Sequence, residues 1–155
     1  MKETSKLVII VLFVVVPSFC FGQNKTWIIS PGLSYQKQYL GELNIMYGEI
    51  VAEHGICLTS GPRIGVETNF NSEHFLLAPK IGYEFPLALP ILRTSFVAYT
   101  NGKGQWDFRL LPEIVLNYYI VNLSYGYNIP LSKKRISNIG GHRISLSLII
   151  DIDWF

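Results

Sequence analysis

The sequence is short of charge. Lys, Arg, Asp and Glu make up 15% of its 155 residues, against about 25% in an ordinary soluble domain. With 49% hydrophobic and 14% aromatic residues, so low a charge content argues against a disordered chain. A formal net charge of +2 gives no electrostatic case for a nucleic-acid partner. After the first twenty residues no apolar run approaches the roughly 18 residues that a spanning helix needs, which argues against a polytopic helical membrane protein. Cysteine is scarce as well, with only Cys20 and Cys57. His54, His74 and His142 stand apart, without metal-ligand spacing. Gly102-Lys103-Gly104 reads as a turn, because no strand-to-helix context makes it a phosphate loop. Asp151 and Asp153 are close enough to suggest a carboxylate pair, but no acid or base partner can be placed beside them. Neither a cofactor nor an enzymatic activity is expected.

What is present begins with an address label. Lys2, Glu3 and Lys6 precede an apolar run from Leu7 to Val16, and Cys20-Phe21-Gly22 leads into Gln23. That is the three-part pattern of a secretory signal occupying residues 1–22, too short to be a retained anchor helix. Phe19 stands where a lipoprotein signal has a small residue before its cysteine. Removing Lys2, Lys6 and Glu3 takes the basic count from 13 to 11 and the acidic count from 11 to 10. The remaining domain, 23–155, is then almost neutral, and Cys57 has no disulfide partner.

From Trp27 onward the pattern has period two. Trp106, Phe108, Leu110, Pro112, Ile114, Leu116 and Tyr118 fall on one face of a run, with Asp107, Arg109, Leu111, Glu113, Val115 and Asn117 on the other. Successive side chains of a strand point to opposite sides, so such a run has one apolar and one polar face. Eight runs are expected at about 27–37, 42–52, 56–70, 74–86, 91–100, 105–118, 121–130 and 142–154. Short connections between them predict an antiparallel up-and-down meander closed into an all-β, eight-stranded barrel, which removes exposed edges. The Tyr119-Ile120 turn lacks the Gly or Asn that a two-residue hairpin favours. A weak repeat sets Pro62-Arg63-Ile64-Gly65-Val66-Glu67 against Pro79-Lys80-Ile81-Gly82-Tyr83-Glu84. It reads as like residues selected by like surroundings along a sheet rather than as a duplicated ligand motif.

Alternation does not say which face is inside. An exported soluble barrel of the lipocalin kind turns its apolar face inward around an apolar ligand, whereas a membrane barrel turns it outward. Three features favour the membrane. The polar face is rich in small residues (Gly32, Ser34, Gly65, Gly82, Ser124, Gly126, Ser145, Ser147), which suit a narrow eight-stranded interior. Aromatics near strand ends, Trp27, Phe70, Phe75, Phe85, Trp106, Tyr118 and Trp154, match the girdles of a membrane barrel. A strand over residues 106–118 spans about 41 Å, or about 30 Å when tilted by roughly 40°, enough for an apolar band of about 25 Å.

In these respects the chain resembles the small eight-stranded outer-membrane β-barrel proteins of Gram-negative bacteria. The likeness is one of pattern and covers nearly all of 27–155. Members of that family end in a strand whose terminal aromatic is recognised by the barrel-assembly machinery. This chain ends Ile150-Asp151-Ile152-Asp153-Trp154-Phe155, where either Trp154, in phase with the apolar face, or Phe155 would serve as that signal. The resemblance implies an outer-membrane location, outer-membrane lipids and the assembly machinery as partners, and a structural or interaction role. It makes 131–141, with Lys133, Lys134 and Arg135, an outer loop and a candidate site for an extracellular partner. Some members modify lipids, but no catalytic residues carry over to this sequence.

Membrane packing of that kind would put the charges inside. Connections at 87–90 and around Lys103 set Glu84 opposite Arg93 and Arg93 opposite Glu113. Arg63 comes within reach of Glu84 if the numbers of paired residues in the preceding hairpin sum to 147, whereas a turn at Asn71-Ser72 favours 143. The expected interior is a ladder of Arg63, Glu84, Arg93 and Glu113 that plugs the lumen, leaving no open pore.

Overall fold

The period-two runs form the staves of a closed barrel. The computed structural model describes residues 25–53, 56–69, 74–87 and 90–154. Its strands are β1 (Lys25–Tyr35), β2 (Tyr39–Glu53), β3 (Ile56–Thr68), β4 (Leu77–Pro86), β5 (Ile91–Thr100), β6 (Trp106–Tyr118), β7 (Val121–Tyr127), β8 (Ile129–Pro130), β9 (His142–Leu148) and β10 (Ile150–Asp151). β8 continues the register of β7 against β6, and β10 continues that of β9 against β1. The ten segments are therefore eight staves, each antiparallel to the next, and β9–β1 pairing closes the ring.

The registers also set the dimensions. Followed once round through Thr26–Gly48, Gly61–Glu84, Arg93–Glu113 and Gly126–Arg143, the ladder returns to β1 level with Gln36, a stagger of ten residues from Thr26 to Gln36. Eight strands with that stagger tilt by about 41° around a radius of about 8 Å. The 13 residues of β6 then rise through about 31 Å.

One end carries the connections 36–38, 69–76, 101–105 and 131–141, which include the three longest, and the other carries those at 54–55, 87–90 and 119–120. Several boundaries differ from expectation for local reasons. β1 stops at Tyr35 because Lys37 takes a left-handed φ of 66° and Gln36 N–H bonds the Gln38 carbonyl. β4 starts at Leu77, since the Asn69 side chain accepts from Leu76 N–H at 3.0 Å and donates to the His74 carbonyl at 2.6 Å, holding 74–76 as loop. The last stave was expected to run to 154 but ends at Asp151. Its carboxylate accepts from Asp153 N–H at 3.0 Å, a local side-chain bond that competes with the sheet, and Ile152–Trp154 forms a 3-10 turn.

Apolar side chains line the outside. On the described strands the outward row of β6 is Trp106, Phe108, Leu110, Ile114, Leu116 and Tyr118, all exposed. Leu116, Leu123, Leu146 and Leu33 stand level across four neighbouring staves. Among the described side chains of the strands, Lys25 and Glu49 are the charged groups on this face, and they are register partners at the short-turn end.

Inside, two apolar clusters close the ends. Leu40, Leu76, Ala78, Val97, Tyr99, Leu111, Ile136 and Ile139 pack together at the loop end. Ile28, Met46, Cys57 and Ile149 do so at the other. The loop 131–141 is thus not simply an outer loop. It folds Ile136 and Ile139 into the barrel mouth, because these apolar residues find an apolar ring there, and it leaves Lys133, Lys134 and Arg135 exposed.

The β6–β7 hairpin closes over two residues, with Tyr118 opposite Val121, and forces Tyr119 to a φ of 53°. Such a conformation costs a non-glycine residue about 1 kcal/mol or more. Tyr119→Gly is expected to raise the urea unfolding midpoint by about that amount, as read by equilibrium unfolding; an unchanged or lower midpoint would show that the tyrosine ring contributes more than the strain removes.

Candidate functional site

The barrel interior holds five buried cations, Arg63, Lys80, Arg93, Arg109 and Arg143, and six buried carboxylates, Glu42, Glu67, Glu84, Asp107, Glu113 and Asp151. A buried charge without a partner costs several kcal/mol, so the arrangement of partners is the central question.

The sequence repeat answers part of it. In both copies the cation, the glycine and the glutamate point inward: Arg63, Gly65 and Glu67 on β3, and Lys80, Gly82 and Glu84 on β4. Because the strands are antiparallel, Arg63 stands opposite Gly82 and Lys80 opposite Gly65. Each long cation therefore faces a position without a side chain and bends to the next carboxylate along. Arg63 reaches Glu84 at 2.5 Å, and Lys80 reaches Glu67 at 2.7 Å. A Cβ on Gly65 would lie 2.2 Å from Asn44 Oδ1, and one on Gly82 would lie 2.3 Å from the Thr94 carbonyl oxygen. Both glycines are required by space.

Two rings of charge result. The first contains the four residues of the expected ladder. Glu84 Oε1 accepts from Arg63 and, at 2.7 Å, from Arg93 Nε, while its other oxygen accepts from Thr59 at 2.7 Å. Arg93 lies opposite both Glu84 and Glu113, with its Nη1 3.6 Å from Glu113. Glu113 accepts from Ser124, whose hydroxyl meets Ser145. Gly126 is opposite Glu113, and a Cβ there would lie 2.6 Å from its Cγ.

The second ring was not legible as a unit in the sequence. Glu42 and Glu67 are direct cross-strand partners, a like-charge pair that is unfavourable by itself. Lys80 binds both, at 2.8 and 2.7 Å, and Arg143 contacts both, at 2.5 and 2.7 Å. Arg143 comes from β9 and crosses β1 to reach them. The β1 positions in its way are Gly32 and Ser34, and a Cβ on Gly32 would lie 2.9 Å from Glu42 Oε1. No hairpin encodes this contact, which exists only once the last stave has met the first.

A third unit ties the loop to the wall. Asp107 accepts from Arg109 at 2.7 Å and from the backbone N–H of Ile136 at 3.0 Å. Arg109 also donates to the Gly140 carbonyl at 3.4 Å and lies 5.9 Å from the centre of the Tyr99 ring. Gln36, Tyr99 and Asn128 form a hydrogen-bonded cluster beside it, with Asn128 donating to Gln36 and to Gly140. Asp151 is buried and accepts from Thr26, whereas Asp153 is exposed, so the two do not form a carboxylate pair inside the barrel.

On the outer face, Trp27, Phe75, Trp106 and Tyr118 are exposed and Phe85 is half-buried. Phe70, Phe155 and the Trp154 side chain lie outside the described residues, and the Trp154 backbone belongs to the 3-10 turn that follows the last strand. Tyr47 packs against Trp27 in a tilted pair with 4.9 Å between ring centres, and Tyr35 against Tyr39 likewise at 5.0 Å. These tyrosines were missed because aromatic residues were sought only at run ends. Their register pairing, Trp27 with Tyr47 and Tyr35 with Tyr39, was the available signal. His142 sits on the outside with its Nδ1 2.6 Å from the Tyr125 hydroxyl. Among the described residues no cluster of His, Cys, Asp and Glu could hold a metal ion. Comparison with protein-family models, with curated proteins and with solved structures finds no match.

The ring geometry makes two predictions. Arg93→Glu is expected to prevent folding by placing a third acid against Glu84 and Glu113, and adding Glu113→Arg should restore part of the folded yield measured by circular dichroism and protease resistance. Gly65→Ala is expected to cost about 1–3 kcal/mol by overpacking, measured as a lowered urea midpoint; an unchanged midpoint would show that Asn44 moves aside freely.

Proposed function

We propose that this chain is a small outer-membrane barrel with a structural or interaction role, its lumen plugged rather than open. The observation that carries the reading is the inverted partition of side chains. Among the described residues eleven charged side chains point into the barrel, and the outer wall is a continuous apolar surface of exposed Leu, Ile, Val, Phe, Tyr and Trp. Soluble monomers rarely expose apolar patches beyond a few hundred Å², whereas lipid is the natural solvent for such a wall. Three further features support it. The 13-residue strand β6 rises through about 31 Å, against an apolar band of about 25 Å. The three longest connections, 69–76, 101–105 and 131–141, gather at one end, as in outer-membrane barrels. Aromatic residues occupy both rims, Trp27, Tyr47 and Tyr118 at the turn end and Tyr35, Tyr39 and Trp106 at the loop end. The two apolar plugs and the rings of charge between them support a closed lumen. A lipocalin-like role would need an apolar chamber, and the interior positions that would line it hold Arg, Lys, Glu and Asp.

Envelope fractionation of cells expressing the whole chain, followed by electrophoresis with and without boiling, tests the reading. Recovery in the outer membrane with a heat-dependent mobility shift is expected, and a soluble, unshifted protein would overturn it. Leu123, in the middle of the leucine row, gives the sharper version. Leu123→Arg puts a charge on the lipid face at a cost of about 2–4 kcal/mol and should abolish the shifted band, as should Leu148→Arg.

A further inference from the structure

The exposed basic side chains of the described residues are distributed unevenly. Lys37, Lys103, Lys133, Lys134 and Arg135 are all on the loop end, and Lys25 alone is on the other. The described acids of the loop end are buried, while Asp153 is exposed at the turn end. Three of the five cations are consecutive, and the structure holds that tripeptide in place from both sides. The Ser132 hydroxyl lies 3.1 Å from Asp107 Oδ1 and 2.7 Å from the Lys134 carbonyl. Ile136 N–H bonds the other Asp107 oxygen, and Gln105 Nε2 donates to the Arg135 carbonyl at 3.2 Å. A buried carboxylate thus holds both ends of Lys133–Arg135, and Ile136 anchors the following residue in the barrel mouth.

What lies directly beneath the tripeptide is apolar and aromatic. The β6–β8 ladder runs on to Leu131, whose N–H bonds the Phe108 carbonyl at 2.9 Å, so the basic residues emerge at the top of that wall. The wall is built of Leu110, Ile129 and Leu131, and of a stack in which Phe108 lies 5.8 Å from Phe96 and 6.2 Å from Trp106. Three cations rigidly set above a flat aromatic surface on the outside of the barrel fit a ligand with a negative head and hydrocarbon tails.

We propose that Lys133, Lys134 and Arg135, together with the Phe96–Phe108–Trp106 wall, form a binding site for an anionic, phosphate-bearing lipid of the leaflet at the loop end. The headgroup phosphate meets the cations, and the acyl chains lie along the stacked rings. Juxtamembrane basic residues attract anionic headgroups in this way, and a tripeptide held at both ends loses little freedom on binding. The inference rests on the membrane reading above and adds to it the chemistry of the partner.

Trp106 makes the site observable, because the chain has three tryptophans and Trp27→Phe with Trp154→Phe leaves it alone. The probe is quenching of its fluorescence in phosphatidylcholine vesicles containing a minor fraction of brominated phosphatidic acid or, in parallel, brominated phosphatidylcholine. Folding is verified by the heat-dependent mobility shift. Brominated phosphatidic acid should be enriched at Trp106 by about fivefold or more, the effect of roughly one fully engaged basic side chain. Lys133→Gln, Lys134→Gln and Arg135→Gln together should remove that preference while the barrel stays folded. A chain retaining only Trp27, at the far rim, should show no preference. Equal quenching by the two lipids in a folded barrel, or a preference that survives the triple substitution, overturns the lipid site and leaves the membrane reading standing. Inorganic phosphate that shifts Trp106 emission while brominated phosphatidic acid shows no enrichment overturns it in favour of a free anion. A chain that does not insert into vesicles overturns both.

Discussion

Everything in this structure depends on neutralising charge inside a narrow tube. Five cations and six carboxylates are taken out of water within a radius of about 8 Å, where breaking one partner of a buried pair costs about 3–5 kcal/mol. The apolar wall is the complement of that interior, since in a two-faced strand each residue given to one side is denied to the other. The glycines and serines follow as well. Gly32, Gly65, Gly82 and Gly126 do not mark bends in the wall. They are positions where a side chain would collide with a neighbour: with Glu42 at Gly32, Asn44 at Gly65, the Thr94 carbonyl at Gly82 and Glu113 at Gly126.

The charge network also couples local pairing to closure. Arg63 with Glu84 and Arg93 with Glu113 join neighbouring staves and can form as hairpins do. Arg143 with Glu42 and Glu67 joins the last stave to the second and third across the first. Before the ring shuts, Glu42 and Glu67 face each other with Lys80 as their shared cation. Closure supplies the second one, so the ionic gain and the final strand pairing arrive together.

These two kinds of contact explain what could be read beforehand. The staves were legible because one face of each is apolar, and the opposition of Arg93 to Glu84 and Glu113 was legible because connection length sets hairpin register. The β3–β4 register was not, since Arg63 pairs with Gly82, a sum of 145 that lies between the 143 and 147 open from the sequence, yet Arg63 still reaches Glu84 diagonally. The repeat was visible as a pattern, but its meaning, each cation opposite the other copy's glycine, needed that register. Arg143 was invisible as a partner of Glu42 because closure has no hairpin to count along. Ile136 and Ile139 were overlooked because apolar residues in a basic loop have no periodicity. The 3-10 turn at the end was missed for a local reason, since Asp151 accepts from its own chain two residues on.

The opposition of wall and interior has a consequence for how such a sequence can change over time. Outer positions ask only for hydrocarbon, so Leu, Ile, Val and Phe can exchange there one at a time with little effect. Inner positions ask for a specific length and sign set by residues on two or three other staves, and each inward glycine is hemmed in by its neighbours. Drift on the outside is therefore free and independent, whereas on the inside it must proceed by paired or triple replacements. Two barrels built on this plan can lose nearly all residue identity on their walls while their interiors remain tied together as alternative solutions to one packing problem.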